Sequence, residues 1–387
     1  MDSTIPTGPL PKVSVIIPAR NEEANLERCL RSLVVQQGIA FDVFVVNDAS
    51  TDRTRAIAES FTRVRQCPFI AANPFLLDVH VIDAHQPVPA GWSGKVNALV
   101  SGEAAEENAG AASRAEWLLF TDADTEHLEG SLAAAVAEAE AHHADLLSYS
   151  PEQLLTGVRQ QLVMPLIFSE LALKYSPRRV SDPALPDAAA NGQYLLVRAA
   201  AHREVGGFTA VAAELLEDVA LARLYKQRSH AIRFRLGRGL VRTRMYSSWE
   251  DLRIGWTKNL ALLFPNPREL AKKRIQEFRR LLISLVIAPL WTLYYLSHPE
   301  MAHDWFWPLM ISLYWLFTLI GVGSFYARVS RAHFSFWSSL LSVFGLPFFA
   351  SLLRASARAH EQGTVTWRGR AYPIAGAESH VIASKSK

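Results

Sequence analysis

Short apolar runs alternate with segments of helical periodicity along the first part of the chain. Val13 to Ile17 reads as a buried strand that stops at Pro18. Glu22 to Val35 then spaces Leu26, Cys29, Leu30 and Leu33 as one face of a helix. Phe41 to Val46 predicts a second buried strand ending in Asn47-Asp48, after which Ser50 or Thr51 caps a helix reaching about Phe61. Asp78 to Ile82 predicts a third strand, Lys95 to Glu107 a helix, and Asn108 to Ser113 a linker of small residues. Trp117 to Phe120 is the fourth strand, Leu128 to His142 an alanine-rich helix, and Leu146 to Tyr149 another strand. Strands alternating with helices predict an α/β fold with a doubly wound, mostly parallel sheet.

The pattern then changes. Leu154 to Tyr175 is long, apolar and interrupted by Pro165, as expected either of an amphipathic helix on a membrane surface or of a core or lid helix. Asn191-Gly192-Gln193 precedes a strand over Tyr194 to Val197, and Glu214 to Lys226 predicts a helix opened by Glu214, Glu217 and Asp218. From Leu281 onward come three apolar spans: Leu281 to Ser297, Trp305 to Ala327 and Phe336 to Leu353. The second has the length and aromatic ends of a transmembrane helix. The first is short and contains Pro289; the third is broken by Gly345 and Pro347 and reads as a re-entrant or tilted element. The expected organisation is a tail over 1–12, an α/β domain over 13–260, a basic interfacial linker over 261–280, membrane-embedded helices over 281–353 and a tail over 354–387.

Composition sharpens this picture in three ways. Hydrophobic residues make up 50% of the chain, and the excess lies after residue 280. The net charge is only +3, but Lys272, Lys273, Arg274, Arg279 and Arg280 stand directly before the first span. Basic residues there mark the cytoplasmic side of a membrane; without an aromatic-interleaved basic motif they do not predict nucleic-acid binding. A full third crossing leaves Arg354, Arg358, Arg368 and Arg370 on the opposite side, so the charges favour a third span that does not cross. Cys29 and Cys67 give neither a disulfide framework nor a metal spacing, and the polar N-terminus lacks the apolar core of a signal peptide.

Candidate chemistry gathers after the strands. The first is followed by Pro18, Ala19, Arg20, Asn21 and Glu22, and the second by Asn47 through Asp52. The third is followed by Gly91-Trp92-Ser93-Gly94-Lys95, and the fourth by Thr121-Asp122-Ala123-Asp124. In an open α/β sheet these loops face one crevice at the strands' carboxyl ends. The crevice then offers polar groups for a base and ribose, a lysine for phosphate, and two carboxylates for Mg²⁺ or Mn²⁺. Each loop alone is equally a turn or a helix cap; it is their succession that points to a site.

The ordered motifs Val-Ile-Ile-Pro-Ala-Arg-Asn-Glu-Glu, Val-Asn-Asp-Ala-Ser-Thr-Asp, Gly-Lys-Val-Asn-Ala-Leu and Thr-Asp-Ala-Asp resemble those of a family-2 glycosyltransferase, over roughly residues 11–260. The resemblance implies a GT-A fold and a nucleotide-sugar donor. It implies that Glu22 and Asp48, in their loops, hold the nucleobase, that Lys95 lies near the diphosphate, that Asp122 serves ribose or metal, and that Asp124 ligates the metal. It also matches Leu216-Glu217-Asp218-Val219 to the acidic pair that carries the family's catalytic base, which assigns Asp218; acids favouring a helix dipole are the plainer account of Glu214.

Processive members carry Gln-x-x-Arg-Trp where this chain has Leu252-Arg253-Ile254-Gly255-Trp256, so only the tryptophan is shared. Arg244-Met245-Tyr246, Gly255 to Asn259 and Val365 to Tyr372 instead resemble bacterial members associated with carotenoid and hopanoid lipids. The implied reaction is transfer of one sugar, with inversion, to a lipid-like acceptor by a multi-pass protein of a bacterial cell membrane with its catalytic domain in the cytoplasm. Asn191, Gln193, Glu217, Arg244, Tyr246, Trp256 and Lys258 are the acceptor-side or interfacial candidates. Two other classes compete: a sugar-phosphate nucleotidyltransferase, which opens with a glycine-rich loop absent here, and a silent membrane scaffold, which has no reason to keep Asp48, Asp122, Asp124 and Asp218.

Overall fold

A computed structural model describes residues 12–62, 73–109, 114–367 and 370–373. The tail before residue 12, Cys67, the centre of the small-residue linker, Arg368 and the end of the C-terminal tail lie outside the described residues. The chain forms two compact units: Met1–Leu154 with Tyr175–Met245, and Leu155–Lys174 with Tyr246–Lys387. The division differs from the expected domain over 13–260, because Leu155–Lys174 and the helix Trp249–Leu263 belong with the second unit.

The strands of the first unit are β1 (Lys12–Ala19), β2 (Ala40–Asn47), β3 (Leu76–Asp83), β4 (Trp117–Phe120), β5 (Thr125–His127), β6 (Leu146–Ser150), β7 (Glu152–Gln153), β8 (Leu195–Arg198), β9 (Ile232–Leu236) and β10 (Val241–Thr243). Seven form one sheet in the order β3-β2-β1-β4-β8-β6-β9, and β5-β10-β7 form a small second sheet. In the main sheet β8 alone runs antiparallel to its neighbours, pairing Leu119 with Leu196 and Leu147 with Leu196. The rest is parallel, with Val15 opposite Val43 on one side and Leu119 on the other. This is the mostly parallel, doubly wound α/β sheet that the alternation of elements predicts.

Both faces of the sheet are covered, which is why its strands read as continuous apolar runs. Val13, Val15 and Ile17 of β1 join Phe41, Val43, Trp117 and Leu119 in one core. Ile16 joins Phe44, Val46, Leu118 and Phe120 in the other. Complete burial of each such side chain contributes about 1.5–3 kcal/mol. The helix Gly94–Asn108 lies against the second face closely enough that a Cβ on Gly102 would stand 2.5 Å from Ile16 Cγ2.

The first helix starts later than the sequence predicts. It spans Leu26–Leu33 rather than beginning at Glu22. The Glu22 amide is drawn away to Thr54 Oγ1 at 2.7 Å, while the Glu22 carbonyl accepts the amides of Asn25 and Leu26. Strand β9, with Arg233 and Arg235 alternating with Ile232 and Phe234, was not signalled by an apolar run.

The second unit is helical. It contains Val158–Lys174, Trp249–Leu263, Pro267–Ser297, Phe306–Val329, Phe336–Leu341 and Leu346–Glu361, followed by the hairpin β11 (Thr364–Trp367) and β12 (Arg370–Pro373). The basic segment expected as an interfacial linker over 261–280 is helical from Pro267 and continuous with the first apolar span. Likewise the expected tail from residue 354 begins as helix through Glu361. Among the described residues, three helical stretches are long and apolar enough to cross a membrane: Pro267–Ser297, Phe306–Ala332 and Phe336–Glu361. Trp315 Nε1 donates to Thr292 Oγ1 at 2.8 Å and ties the first two together.

Candidate functional site

Strand order reverses at β1, which has β2 on one side and β4 on the other. A crevice opens outside the carboxyl ends of strands at such a point. The loops after β1 and β2 meet there. The Arg20 guanidinium donates through Nη1 to the Asp48 carbonyl at 2.9 Å, and the same nitrogen is 3.7 Å from Asp48 Oδ2. Asn21 donates its amide to Ser50 Oγ at 3.1 Å, and the Thr51 amide donates to Asn21 Oδ1 at 2.9 Å. Beneath them, the Ala19 carbonyl accepts from the Asp48 amide at 2.9 Å, and Pro18 and Ala19 close the end of β1. Asn21 and Ala49 both take left-handed backbone, at φ 53° and 50°. Asn tolerates that region; Ala does not favour it, so the loop at Ala49 is held by its surroundings.

The charged part of the crevice comes from three other segments. Ser93 caps its helix by accepting from the Val96 amide at 3.0 Å, which fixes Lys95 in the first turn. Lys95 Nζ lies 2.8 Å from Asp122 Oδ1 and 3.1 Å from Glu217 Oε1. Asp218, next along the same helix as Glu217, accepts from the Gly192 amide at 2.8 Å through Oδ2 and from the Val219 amide at 2.8 Å through Oδ1. Gly192 sits between the two groups: a Cβ there would be 3.1 Å from Lys95 Nζ and 3.5 Å from Asp218 Oδ2.

Electrostatics follow from burial and crowding. Burial opposes the Lys95 charge, but Asp122 and then Glu217 hold its ammonium well above the usual lysine value. Burial first, and the Glu217 charge second, push Asp218 up to about 6. Burial and then the charges of Asp122 and Glu22 push Asp124 up to about 7. A carboxyl near neutrality in a crevice exchanges protons at ordinary pH.

Asp124 and Asp122 can contribute carboxylate oxygens to a divalent cation. Asp124 Oδ1 is buried without a hydrogen-bond partner, and a hard cation accepts such an oxygen. Among the described residues no cluster of three or more His, Cys, Asp or Glu is arranged to hold a metal. The donor set suits Mg²⁺ or Mn²⁺ completed by water and phosphate oxygens rather than a closed protein cage. Behind the pair, Thr121 Oγ1 and Thr125 Oγ1 donate to the Gln193 carbonyl at 2.8 and 3.3 Å, and Gln193 Nε2 donates to Thr243 Oγ1 at 3.2 Å. The Cys29 thiol reaches the Asp122 carbonyl at 3.9 Å, and burial pushes it far above the usual thiol range. It is a packing residue.

The first unit thus brings Arg20, Glu22, Asp48, Lys95, Asp122, Asp124, Gln193, Glu217 and Asp218 to one sheet edge. Asn191 shapes that edge from behind: its amide donates to Ser148 Oγ at 2.8 Å and its Oδ1 accepts from the Gln193 amide at 3.0 Å. Arg244 follows β10 and is exposed. Tyr246, Trp256 and Lys258 belong to the second unit. There Tyr246 is packed on Gly255, where a Cβ would lie 2.5 Å from its hydroxyl, and Trp256 meets Phe168 edge-on at 6.1 Å. The Lys258 carbonyl accepts from His360 Nε2 at 2.8 Å. Glu217 as a direct partner of Lys95, and Thr121 and Thr243 as supports of the acidic loop, were not foreseen.

Residues 14–160 match the family model described as Glycosyl transferase family 2. The chain is 25% identical over 253 residues to 4,4'-diaponeurosporenoate glycosyltransferase of Staphylococcus aureus strain MRSA252, a match covering 64% of this chain and 60% of that protein. Among solved structures it is similar to S. aureus TarS in complex with UDP-GlcNAc, at 15% identity and TM-score 0.39, covering 94% of this chain and 96% of that one. It is also similar to glucosyl-3-phosphoglycerate synthase from Mycobacterium tuberculosis in complex with Mn²⁺, UDP and phosphoglyceric acid, at 19% identity and TM-score 0.40, covering 65% of this chain and 77% of that one. At such scores the fold rests on this chain's own topology and on the family match. Residues 14–160, which carry β1 to β4 and all four crevice loops, are the part of the chain that matches glycosyl transferase family 2.

Proposed function

We propose that this chain transfers a single sugar from a nucleotide-sugar donor, of the uridine diphosphate type, to a hydroxyl or carboxyl of a lipid-like acceptor, with inversion at the anomeric carbon. The observation that carries the reading is the cluster at the switch point, in which Lys95 stands 2.8 Å from Asp122 and 3.1 Å from Glu217 beside Asp218. The name of the S. aureus relative, a glycosyltransferase of diaponeurosporenoate, supports an apolar acceptor. Three helices apolar enough to cross a membrane support one that is delivered from a bilayer. The basic residues before the first span favour a multi-pass protein of a bacterial cell membrane with its catalytic domain in the cytoplasm.

Each residue then has a task. Glu22 and Asp48, in their stitched loops, receive the nucleobase, with Arg20 fixing Asp48. Asp122 serves the ribose or the metal, and Lys95 turns its charge toward the diphosphate. The acceptor oxygen attacks the anomeric carbon while the carbon–oxygen bond to the diphosphate breaks, and its electron pair leaves with the nucleoside diphosphate. Asp218 takes the acceptor's proton; its raised value of about 6 leaves it ionised at neutral pH yet basic enough to receive one. Asp124 and Asp122 would hold Mg²⁺ or Mn²⁺, which when bound would supply positive charge against that developing on the leaving group. Asn191 and Gln193 position the edge of the crevice; Arg244, Tyr246, Trp256 and Lys258 are acceptor-side or interfacial groups.

The test is Asp218→Asn. Transfer should fall by about 10²- to 10⁴-fold, while donor binding, followed by thermal shift with Mn²⁺, is kept. Full activity in that variant removes Asp218 as the base. Asp124→Ala should abolish Mn²⁺-dependent nucleotide binding, and an unchanged titration would remove the metal role.

A further inference from the structure

The second unit contains a group of buried charges that the proposed reaction does not use. Glu170, Arg274, Glu277 and Arg328 close into a ring. Arg328 donates to Glu170 Oε1 at 2.6 Å and to Glu277 Oε2 at 2.7 Å. Arg274 lies 3.0 Å from Glu170 Oε1 and 2.6 Å from Glu277 Oε2. The ring has no net charge, and Glu170 and Arg328 are 7% and 9% exposed. It fixes a direction: Arg328 ends the helix Phe306–Val329, whereas Arg274 and Glu277 precede the apolar part of Pro267–Ser297. The two long helices are antiparallel, with the end of one level with the start of the other.

The third apolar stretch does not follow them. Its first short helix, Phe336–Leu341, is pinned at that same end, where the Tyr326 hydroxyl donates to the Leu340 carbonyl at 2.8 Å. Its C-terminal part returns to the region where the first long helix begins: Arg268 Nε, in the first turn of that helix, donates to Glu361 Oε1 at 2.8 Å, and the Ala261 amide, in the preceding helix Trp249–Leu263, donates to Ser356 Oγ at 2.9 Å. Arg268 precedes Leu281 by 13 residues, about 20 Å of helix on the side away from the apolar span. A crossing helix would instead carry Glu361 past Ser297.

Packing agrees. In the first two stretches 17% and 11% of the apolar window is buried inside the protein, against 44% in the third. Leu346, Phe349, Ala350, Leu352 and Leu353 are covered by protein. A Cβ on Gly345 would come 2.1 Å from the Leu162 carbonyl oxygen, so the break in this stretch lies directly on the backbone of Val158–Lys174. The opposite side is a one-sided apolar stripe, with Phe336 71%, Trp337 66% and Phe344 54% exposed. Aromatic residues on one face of a short helix suit the boundary between headgroups and acyl chains. Exposed cations Arg279, Arg280, Arg331 and Arg354 lie at this end, while the connection from His298 to Asp304 at the other end has no Lys or Arg.

We infer that two of the three apolar helices cross the bilayer as a hairpin, and that Phe336–Glu361 lies in the headgroup layer of an anionic membrane on the side where the hairpin begins and ends. The ring of Glu170, Arg274, Glu277 and Arg328 locks the buttress helix Val158–Lys174 to both legs at that level. The inference rests on the membrane-embedded reading above.

Single cysteines test it in the full chain carrying Cys29→Ser and Cys67→Ser. Lys272→Cys, Glu300→Cys and Arg358→Cys all replace exposed or loop side chains. Each is treated with a membrane-impermeant maleimide in inverted and in right-side-out vesicles. Residues 272 and 358 should label from the same side and residue 300 from the opposite side. Labelling of 358 together with 300 would show a third crossing and overturn the inference, as would labelling of all three from one side. A Cys67→Ser control that keeps the buried Cys29 stays unlabelled when the fold is intact. Recovery of the protein in the soluble fraction overturns the membrane reading itself.

Discussion

In the first unit Val13, Val15 and Ile17 are shut inside the sheet, and Lys95, Asp122 and Glu217 stand at its open edge. In the second, Leu282, Ile283 and Leu285 face outward, and Glu170 and Arg328 are buried. The contrast is the one expected if water surrounds the first unit and, as inferred above, hydrocarbon covers the helices of the second. Where water surrounds the protein, apolar burial drives folding and charges gather where a ligand needs them. Where hydrocarbon covers the helices, apolar contacts between them gain little over contacts with lipid, so polar links specify the packing.

The largest expected effect breaks the buried ring. Arg328→Met leaves Glu170 and Glu277 to share Arg274, and removing one partner of a buried ion group costs about 3–5 kcal/mol. The melting transition of the detergent-solubilised protein should drop accordingly, and replacing all four ring residues by apolar ones should recover most of the loss. A single variant that melts normally would show that the ring does not lock the helices.

Two glycines compare the packing of the units directly. Gly102→Ala meets the Ile16 side chain at 2.5 Å, whereas Gly345→Ala meets a backbone carbonyl at 2.1 Å. Overpacking costs about 1–3 kcal/mol, and the second should exceed the first because a backbone atom cannot turn aside. Equal denaturation shifts would remove that distinction.

The pH profile probes the crevice. With Asp218 at about 6, the turnover rate should fall about tenfold per pH unit below pH 6 and level off above it, since the ionised form is the working base. The stability sign is the reverse. A carboxyl raised above its unfolded value of about 3.9 contributes stability below that value and loses it as pH rises through 6. Asp218→Asn should therefore melt higher than the parent at pH 8 and nearly the same at pH 4. A rate that is flat down to pH 5 would contradict the assignment. The smallest effect is expected from Arg268→Ala. Its pair with Glu361 is more than half exposed on both sides, and such pairs contribute about 0–1 kcal/mol; a larger loss would mean that this contact, too, is structural.

Much of the first unit was legible in the sequence. Apolar runs announced β1, β2 and β4 because both sheet faces are covered, and the loop motifs announced the crevice because ligands bind at strand ends. Strand β9 was not legible: its alternating arginines are paired with Glu138, at 3.0 Å from Arg233 and 2.8 Å from Arg235, a partner 95 and 97 residues away. Helical continuity from Pro267 was missed because basic residues read as a linker, although Lys and Arg are good helix formers.

The sequence by itself determined the alternation of strands and helices, the four loops and the long apolar helices, because each depends on residues near one another in the chain. Tertiary structure alone decided that Glu217 meets Lys95 across 122 residues of chain (217 − 95), and that Arg328 meets Glu170 across 158. It also decided that Gly345 lies on the backbone at Leu162. Such pairings are set by packing of whole elements, for which local periodicity carries no signal.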